Sequence, residues 1–540
     1  VAYTPKRATA PQYAITTQQL LTPKQRDRRR IWRLTGYFTV VVLLFLNIQR
    51  FLSTPPALAA VACHSVSNVL TVPLRATTTP LALQLSTNVV KATQLDPAAD
   101  ANANAILSYL QQWNPPLVRL HFGFREQTTL PESQQGVWDF QRTDTAIAQL
   151  RAQGVSFVLN IRSAPPWMFA PSGQLRDPTF HEFALYVARL VGWYNKGGFT
   201  DDNGVFHASG HVNWVHTWEI WNEPDSGDEI PAPVPDRNGQ WASAQEYAQL
   251  YSTVVQAMRG VDPTVVAGGP ALIWQDPTRY APYIQTFLQD VTQPVAFVSI
   301  HFYPTGDLNE PDQAVLQQVT TTYHQIVAGV QNVMKGKHIP LWVDELGFNE
   351  SSRLPIDPRG TSPIAYAFIA DIFTQSAVLG VAQVDQFPFA SNAQYGELDE
   401  KTGQPFRTYW LYRRLSQAFP PGSQLLAVTT LPTGITALTA LSPDRHTLSI
   451  LLDNMRAAHA KDVNGPGVSQ SVCIDLLNTH AGIGLPFGAP ATAWTFDAST
   501  PPNDAPPSAT QWLLNAGQDH LFFQEQLTGY SATLVQLPIN

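Results

Sequence analysis

Between residues 81 and 418, short runs rich in β-branched and aromatic residues alternate with longer stretches whose apolar residues recur at helical spacing. The runs lie at 81–90, 117–122, 156–161, 216–221, 265–268, 297–302, 341–345 and 381–387. Amphipathic segments at 143–153, 180–194, 244–258, 280–288, 313–333 and 364–378 separate most of them. Strands joined by crossover helices run parallel, with right-handed connections. Eight such units predict a closed (β/α)8 TIM barrel in the α/β class. An open doubly wound sheet competes, but no Gly-x-Gly-x-x-Gly follows an early strand.

The pattern changes after a helical stretch at 408–419, where Pro420-Pro421-Gly422 breaks it. Runs at 435–441, 447–452, 472–477, 520–523 and 531–537 then read as strands, with Pro443-Asp444 a turn between the first two. A C-terminal β-sandwich domain packed on the barrel is expected, and residues 64–80 offer it one more strand.

At the other end, Lys24, Arg26, Arg28, Arg29, Arg30 and Arg33 precede an apolar run at 34–48. Counting 31–52 gives enough helix to cross a hydrocarbon layer of about 30 Å, with the basic flank held in the cytoplasm. The competing reading is a cleaved signal peptide, since Ala57-Leu58-Ala59 and Ala60-Val61-Ala62 resemble cleavage sites. Both readings export the remainder. The expected organisation is a basic tail at 1–30, an N-terminal transmembrane helix at 31–52, a linker at 53–80, the barrel at 81–420 and the sandwich at 421–540. The expected location is the cell membrane, single-pass, with the folded domains on the extracytoplasmic side. The lipid bilayer is then one partner, and the basic tail leaves room for a membrane-protein partner.

A formal net charge of −8 excludes the basic face of a nucleic-acid binder. The 2 cysteines, Cys63 and Cys473, form no CxxC, so no structural zinc site is expected. In an exported chain they are free to pair, and two separate thiols is the alternative.

Chemistry in a barrel sits where strands end. Strand four ends in Trp221-Asn222-Glu223-Pro224, and strand seven in Asp344-Glu345-Leu346-Gly347. Two carboxyls on one rim suit glycoside cleavage, one protonating the leaving oxygen and the other stabilising or attacking the developing oxocarbenium centre. Strand alternation assigns Glu219 and Asp344 to supporting roles. Trp167, Trp274 and Phe389, on loops after strands three, five and eight, are candidate platforms for sugar rings. The long segments 226–241 and 392–406 are placed to shape a cleft.

On Trp-Asn-Glu-Pro at 221–224, Asp-Glu-Leu-Gly at 344–347 and His301-Phe302-Tyr303, the region 81–418 resembles clan A of the glycoside hydrolases. Trp-Glu-Ile-Trp-Asn-Glu-Pro-Asp at 218–225 is most like family 39, which includes xylosidases and iduronidases, and Asp-Glu-Leu-Gly is closer to family 5. The resemblance implies Glu223 as acid/base, Glu345 as nucleophile and Asn222 as donor to the sugar 2-hydroxyl. It implies Tyr303 orienting Glu345, His301 lining the same wall and Arg119 supporting the nucleophile. Many members place a tryptophan under the cleaved sugar at strand eight, where this chain reads Val384-Asp385-Gln386-Phe387-Pro388-Phe389. The expectation is a membrane-tethered retaining glycosidase cleaving β-linked oligo- or polysaccharides, with no metal or organic cofactor. The alternative is a catalytically silent barrel serving as a structural or glycan-binding subunit of a membrane assembly.

Overall fold

The computed structural model describes residues 69–539 except 75–77, 123–129, 227–240, 275, 352, 429–431, 478–489, 502–505, 513–514 and 517–519. The transmembrane helix expected at 31–52, the basic tail and Cys63 lie outside these residues. Among the described residues, no helix is long and apolar enough to cross a membrane.

Eight strands close into a barrel: β1 (Gln84–Val89), β2 (Val118–Phe122), β3 (Phe157–Ile161), β4 (Thr217–Ile220), β5 (Val266–Leu272), β6 (Val298–Phe302), β7 (Leu341–Leu346) and β8 (Gln383–Gln386). Neighbours in sequence are neighbours in the sheet, every pair is parallel, and β8 closes on β1. Around it run α1 (Ala103–Trp113), α2 (Gln141–Ala152), α3 (His181–Asn195), α4 (Ala244–Val261), α5 (Pro277–Asp290), α6 (Asp312–Gln318), α7 (His324–Met334), α8 (Pro363–Leu379) and α9 (Arg407–Ala418). A π-helical turn, Val319–Tyr323, joins α6 to α7, so the segment predicted at 313–333 is one interrupted helix. An antiparallel hairpin, Lys196–Thr200 with Phe206–Val212, extends from α3 and has no counterpart in the sequence reading.

The barrel strands are buried on both faces, but their two faces differ in chemistry. Alternation sends Trp218 and Ile220 of β4 into the apolar layer under the helices and Glu219 to the other side. There the inward residues near the strand ends are polar and fully buried: Ser86, Asn88, Arg119, Asn160, Glu219, Ser299 and Asp385 are all at 0% exposure. An apolar plug would have cost nothing in desolvation, so each of these groups needs a partner.

The C-terminal region packs two sheets. β9 (Ile435–Leu441), β10 (Thr447–Asn454), β12 (Ala491–Phe496) and β14 (Ser531–Pro538) form most of a seven-stranded sheet that also takes in Thr79–Pro80, Gln424–Leu426 and Thr510–Trp512. β11 (Gln470–Leu477) and β13 (His520–Leu527) lie with Val69–Pro73 and Asn515–Ala516 in a four-stranded one. Leu448, Ile450 and Leu452 meet Val472, Ile474 and Leu476 in a shared core, which makes the pair a sandwich. On its outer face the larger sheet presents Leu438, Ala440, Leu451 and Leu534 to the barrel's own core. The element it meets is α8, whose residues from Ile364 to Thr374 are all buried. Cys473 on β11 is disulfide-bonded.

Candidate active site

β4 ends at Ile220, and the next three residues make the site. Trp221 (φ 71°) and Glu223 (φ 49°) both adopt the left-handed backbone region that side chains with a Cβ seldom enter. Such conformations persist only where the surroundings over-determine them. Here the Trp221 amide donates to Ile161 O at 2.9 Å and the Glu223 amide to Ala271 O at 3.0 Å. The Tyr247 hydroxyl holds Ile220 O at 2.7 Å, and the Trp221 ring is stacked on Trp241 at 4.1 Å. The double turn lifts Glu223 from the ladder onto the rim.

β7 delivers two adjacent acids. Its register against β6 runs Ile300 to Val343 and then His301 to Glu345, so Asp344 is an extra residue in a bulge. A bulge breaks strict alternation. Asp344 and Glu345 therefore both reach the interior cluster, each within 4 Å of the Arg119 guanidinium.

Arg119 organises the floor. Its Nη1 donates to Glu345 Oε1 and its Nε to Glu219 Oε2, each at 2.6 Å. Nη2 donates to Asn222 Oδ1 at 2.7 Å, and Nη1 also reaches Asn88 Oδ1 at 3.2 Å. Burial opposes its charge, but the surrounding acids, Glu219 first and Glu345 with it, outweigh that and hold the guanidinium protonated. The Tyr303 hydroxyl donates to the other oxygen of Glu345 at 3.0 Å. Asn222, Tyr303 and Glu345 are all buried.

Glu223 faces His301, with Nδ1 2.9 Å from Oε1, and the same nitrogen is 3.6 Å from Glu345 Oε2. An oxygen of Glu223, an oxygen of Glu345 and a ring nitrogen of His301 lie within 4.8 Å of one another. These atoms are close enough to share a small cation. Each already has a protein partner, so we assign them no metal role. Burial pushes the His301 imidazole down to about 4. Glu219 is drawn in two directions: burial raises it, while Arg119 and hydrogen bonds, including Ser299 Oγ at 2.6 Å, hold it below the usual range.

The structure thus gathers Glu223, Glu345, Asn222, His301, Tyr303 and Arg119 into one cluster of contacting side chains. Trp167, half-buried, has contacts of its own: its Nε1 donates to Glu132 O at 2.9 Å, and the Arg176 guanidinium lies over its ring. Trp274 is covered by Arg279. Phe389 is 1% exposed and packs on Trp113, so it is core rather than a sugar platform. The aromatic at the end of β8 that meets the site is half-buried Phe387, edge-on to Tyr303 and His121. Sequence reasoning also passed over His121, whose Nε2 is 2.8 Å from Asn88 Oδ1, and over Asn160, which donates to Glu219 at 2.8 Å. The available signal was a polar residue at each inward strand position where a core would be apolar.

A closed barrel with opposed glutamates at the ends of strands four and seven defines the clan A glycoside hydrolase type. Residues 208–418 match the family model described as glycosyl hydrolases family 39. A β-xylosidase of Geobacillus stearothermophilus is 28% identical over 195 residues, 33% of this chain and 34% of that protein. The chain therefore spans about a third of that curated relative's length. Among solved structures, a monomeric β-xylosidase from Caulobacter crescentus CB15 superimposes with a TM-score of 0.61 at 14% identity, covering 87% of this chain and 99% of that one. A GH39 enzyme from Xanthomonas axonopodis pv. citri gives 0.60 at 14% identity, covering 89% and 99%. The chain's relationship is to clan A of the glycoside hydrolases, and within the clan it is most like family 39.

Proposed function

We propose that this chain is a retaining glycoside hydrolase that cleaves β-linked glycans through a glycosyl-enzyme ester. The observation that carries the reading is the approach of Glu223 and Glu345 oxygens within 4.8 Å. Retaining enzymes hold their carboxyls about 5–5.5 Å apart, whereas inverting ones leave room for an intervening water. Glu345, clamped by Arg119 and Tyr303, is poised as the nucleophile that attacks the anomeric carbon. Glu223 gives its proton to the departing oxygen. In the second step it takes a proton from water, which attacks the same carbon and releases Glu345. Among the described residues the buried Asn222 amide nitrogen has no protein partner, which suits a donor to the sugar 2-hydroxyl. Phe387 takes the place of the strand-eight tryptophan beside the bound ring. The β-xylosidases among the relatives make aryl β-xylosides the first substrates to try.

Tethering is part of the proposal and rests on sequence. The basic stretch 24–33 followed by the apolar run 34–48 suits a single-pass anchor with the barrel on the extracytoplasmic side.

The test is turnover of a panel of aryl β-glycosides, led by the xyloside, by the parent chain and by Glu223→Gln and Glu345→Gln. The expected result is activity in the parent and losses of about 10²–10⁴-fold or more in each variant. A parent inert on the whole panel, or a variant as active as the parent, contradicts the reading.

A further inference from the structure

Asp344 lies behind the carboxyl pair rather than in it. It is fully buried, with Oδ1 3.5 Å from His301 Nε2 and Oδ2 3.4 Å from Arg119 Nε. That guanidinium is already committed to Glu219 and Glu345, each at 2.6 Å. Among the described residues neither oxygen of Asp344 has a protein donor in hydrogen-bonding geometry, so an ionised Asp344 would be a buried, uncompensated charge. The form that fits is the neutral acid, its hydroxyl donating to Glu219. Burial first, then the charge of Glu219, pushes the Asp344 carboxyl well above the usual range. Its carbonyl oxygen is left as an acceptor facing His301 Nε2.

A neutral imidazole carries its one proton on either nitrogen. With the proton on Nδ1, His301 donates to Glu223 and favours the carboxylate. With it on Nε2, a lone pair faces Glu223 and favours the protonated acid. We infer that Asp344 is a positioning residue that, acting through His301, holds the Nε2–H tautomer and so keeps Glu223 protonated for the first step. The inference rests on reading Glu223 as the acid/base. The other groups facing this chain of contacts do not set the tautomer. Glu345 Oε2 is 3.6 Å from Nδ1 but already accepts from Tyr303. Burial keeps the ring neutral, aided by the cations Arg119 and Arg162 and opposed by Glu345 and Glu219. Burial drives Asp385 toward its neutral form and His121 toward its own.

Two measurements on the full chain test this. Nitrogen NMR of histidine-labelled protein, with His301 assigned by its loss in His301→Gln, reads the tautomer directly at neutral pH without substrate. It therefore stands or falls separately from glycosidase turnover. The expected result is a protonated Nε2 and a bare Nδ1. The second is the pH profile of kcat/KM on an aryl β-xyloside for Asp344→Leu and Asp344→Asn. The leucine should move the alkaline limb down by about one pH unit or more. The asparagine, presenting a carbonyl to His301 and an amide to Glu219, should bring the limb back toward the parent's. A purely structural role would lower activity evenly across pH. A proton on Nδ1 in the parent, or an alkaline limb unmoved in a folded Asp344→Leu, overturns the inference, and if the leucine variant fails to fold the tautomer decides alone.

Discussion

Tyr303 and Arg119 grip the two oxygens of Glu345 from opposite sides, and their contributions differ in kind. Arg119 neutralises a buried network of acids, so removing it breaks the fold as well as the site. Tyr303 supplies one hydrogen bond from a phenol that burial keeps protonated. Tyr303→Phe should therefore leave folding nearly intact while lowering kcat/KM by about 10–100-fold, the worth of one hydrogen bond to a charged group. Steady-state kinetics beside a thermal melt check this. A loss of activity matched by a large fall in Tm would mean that the hydroxyl holds structure and not the nucleophile.

At the scale of elements, the site depends on two irregularities, the left-handed turn after β4 and the bulge in β7. The turn is held by backbone hydrogen bonds, by the Tyr247 hydroxyl and by the stack of Trp241 on Trp221. Trp241→Ala opens a cavity and should cost about 3–5 kcal/mol. It should also lower kcat through misplacement of Glu223, an effect that a cavity elsewhere in the core would not produce. Denaturant unfolding and kcat together test the coupling. These irregularities mark where reading the sequence stopped. Strands and helices were legible from periodicity, and Glu223 and Glu345 from their motifs at strand ends. The bulge was not, because register belongs to a pair of strands and only β6 reveals that Asp344 is the surplus residue. Alternation alone had set Asp344 apart from Glu345. Phe387 and Phe389 both follow β8, and only packing shows that Phe389 is covered by Trp113 while Phe387 meets Tyr303.

For the whole molecule, the sandwich is tied into the wall of the barrel. Asp312, which starts the helix following β6, accepts from the amides of Asn464 and Gly465 at 2.8 Å each. The strand that carries His301 is thus followed by a helix anchored in the second domain. Beside it, Asp371 of α8 faces Thr436 and Asp453 of the larger sheet, and burial raises its carboxyl to about 7. Burial, then the proximity of Asp371, raises Asp453 as well. An acid whose folded value lies above its unfolded one binds more protons when folded. Its contribution is complete at low pH and is lost as pH rises from about 4 through 7. The joint should weaken above neutrality by up to about 4 kcal/mol for Asp371. Asp371→Asn should then unfold with less sensitivity to pH than the parent between pH 5 and 8. Equal sensitivity in both would mean that the carboxyl does not titrate at the joint.

A covalent bond from Glu345 to sugar is the step on which the chemistry turns, and trapping measures it directly. Incubation with an activated 2-deoxy-2-fluoro-β-xyloside, followed by digestion and peptide mass spectrometry, should find one fluorosugar attached to the peptide containing Glu345 and none on that containing Glu223. In Glu345→Gln the adduct should vanish. With the parent chain turning over the unfluorinated xyloside, a label on any other residue, or inversion of the anomeric centre in the released sugar, would contradict the account.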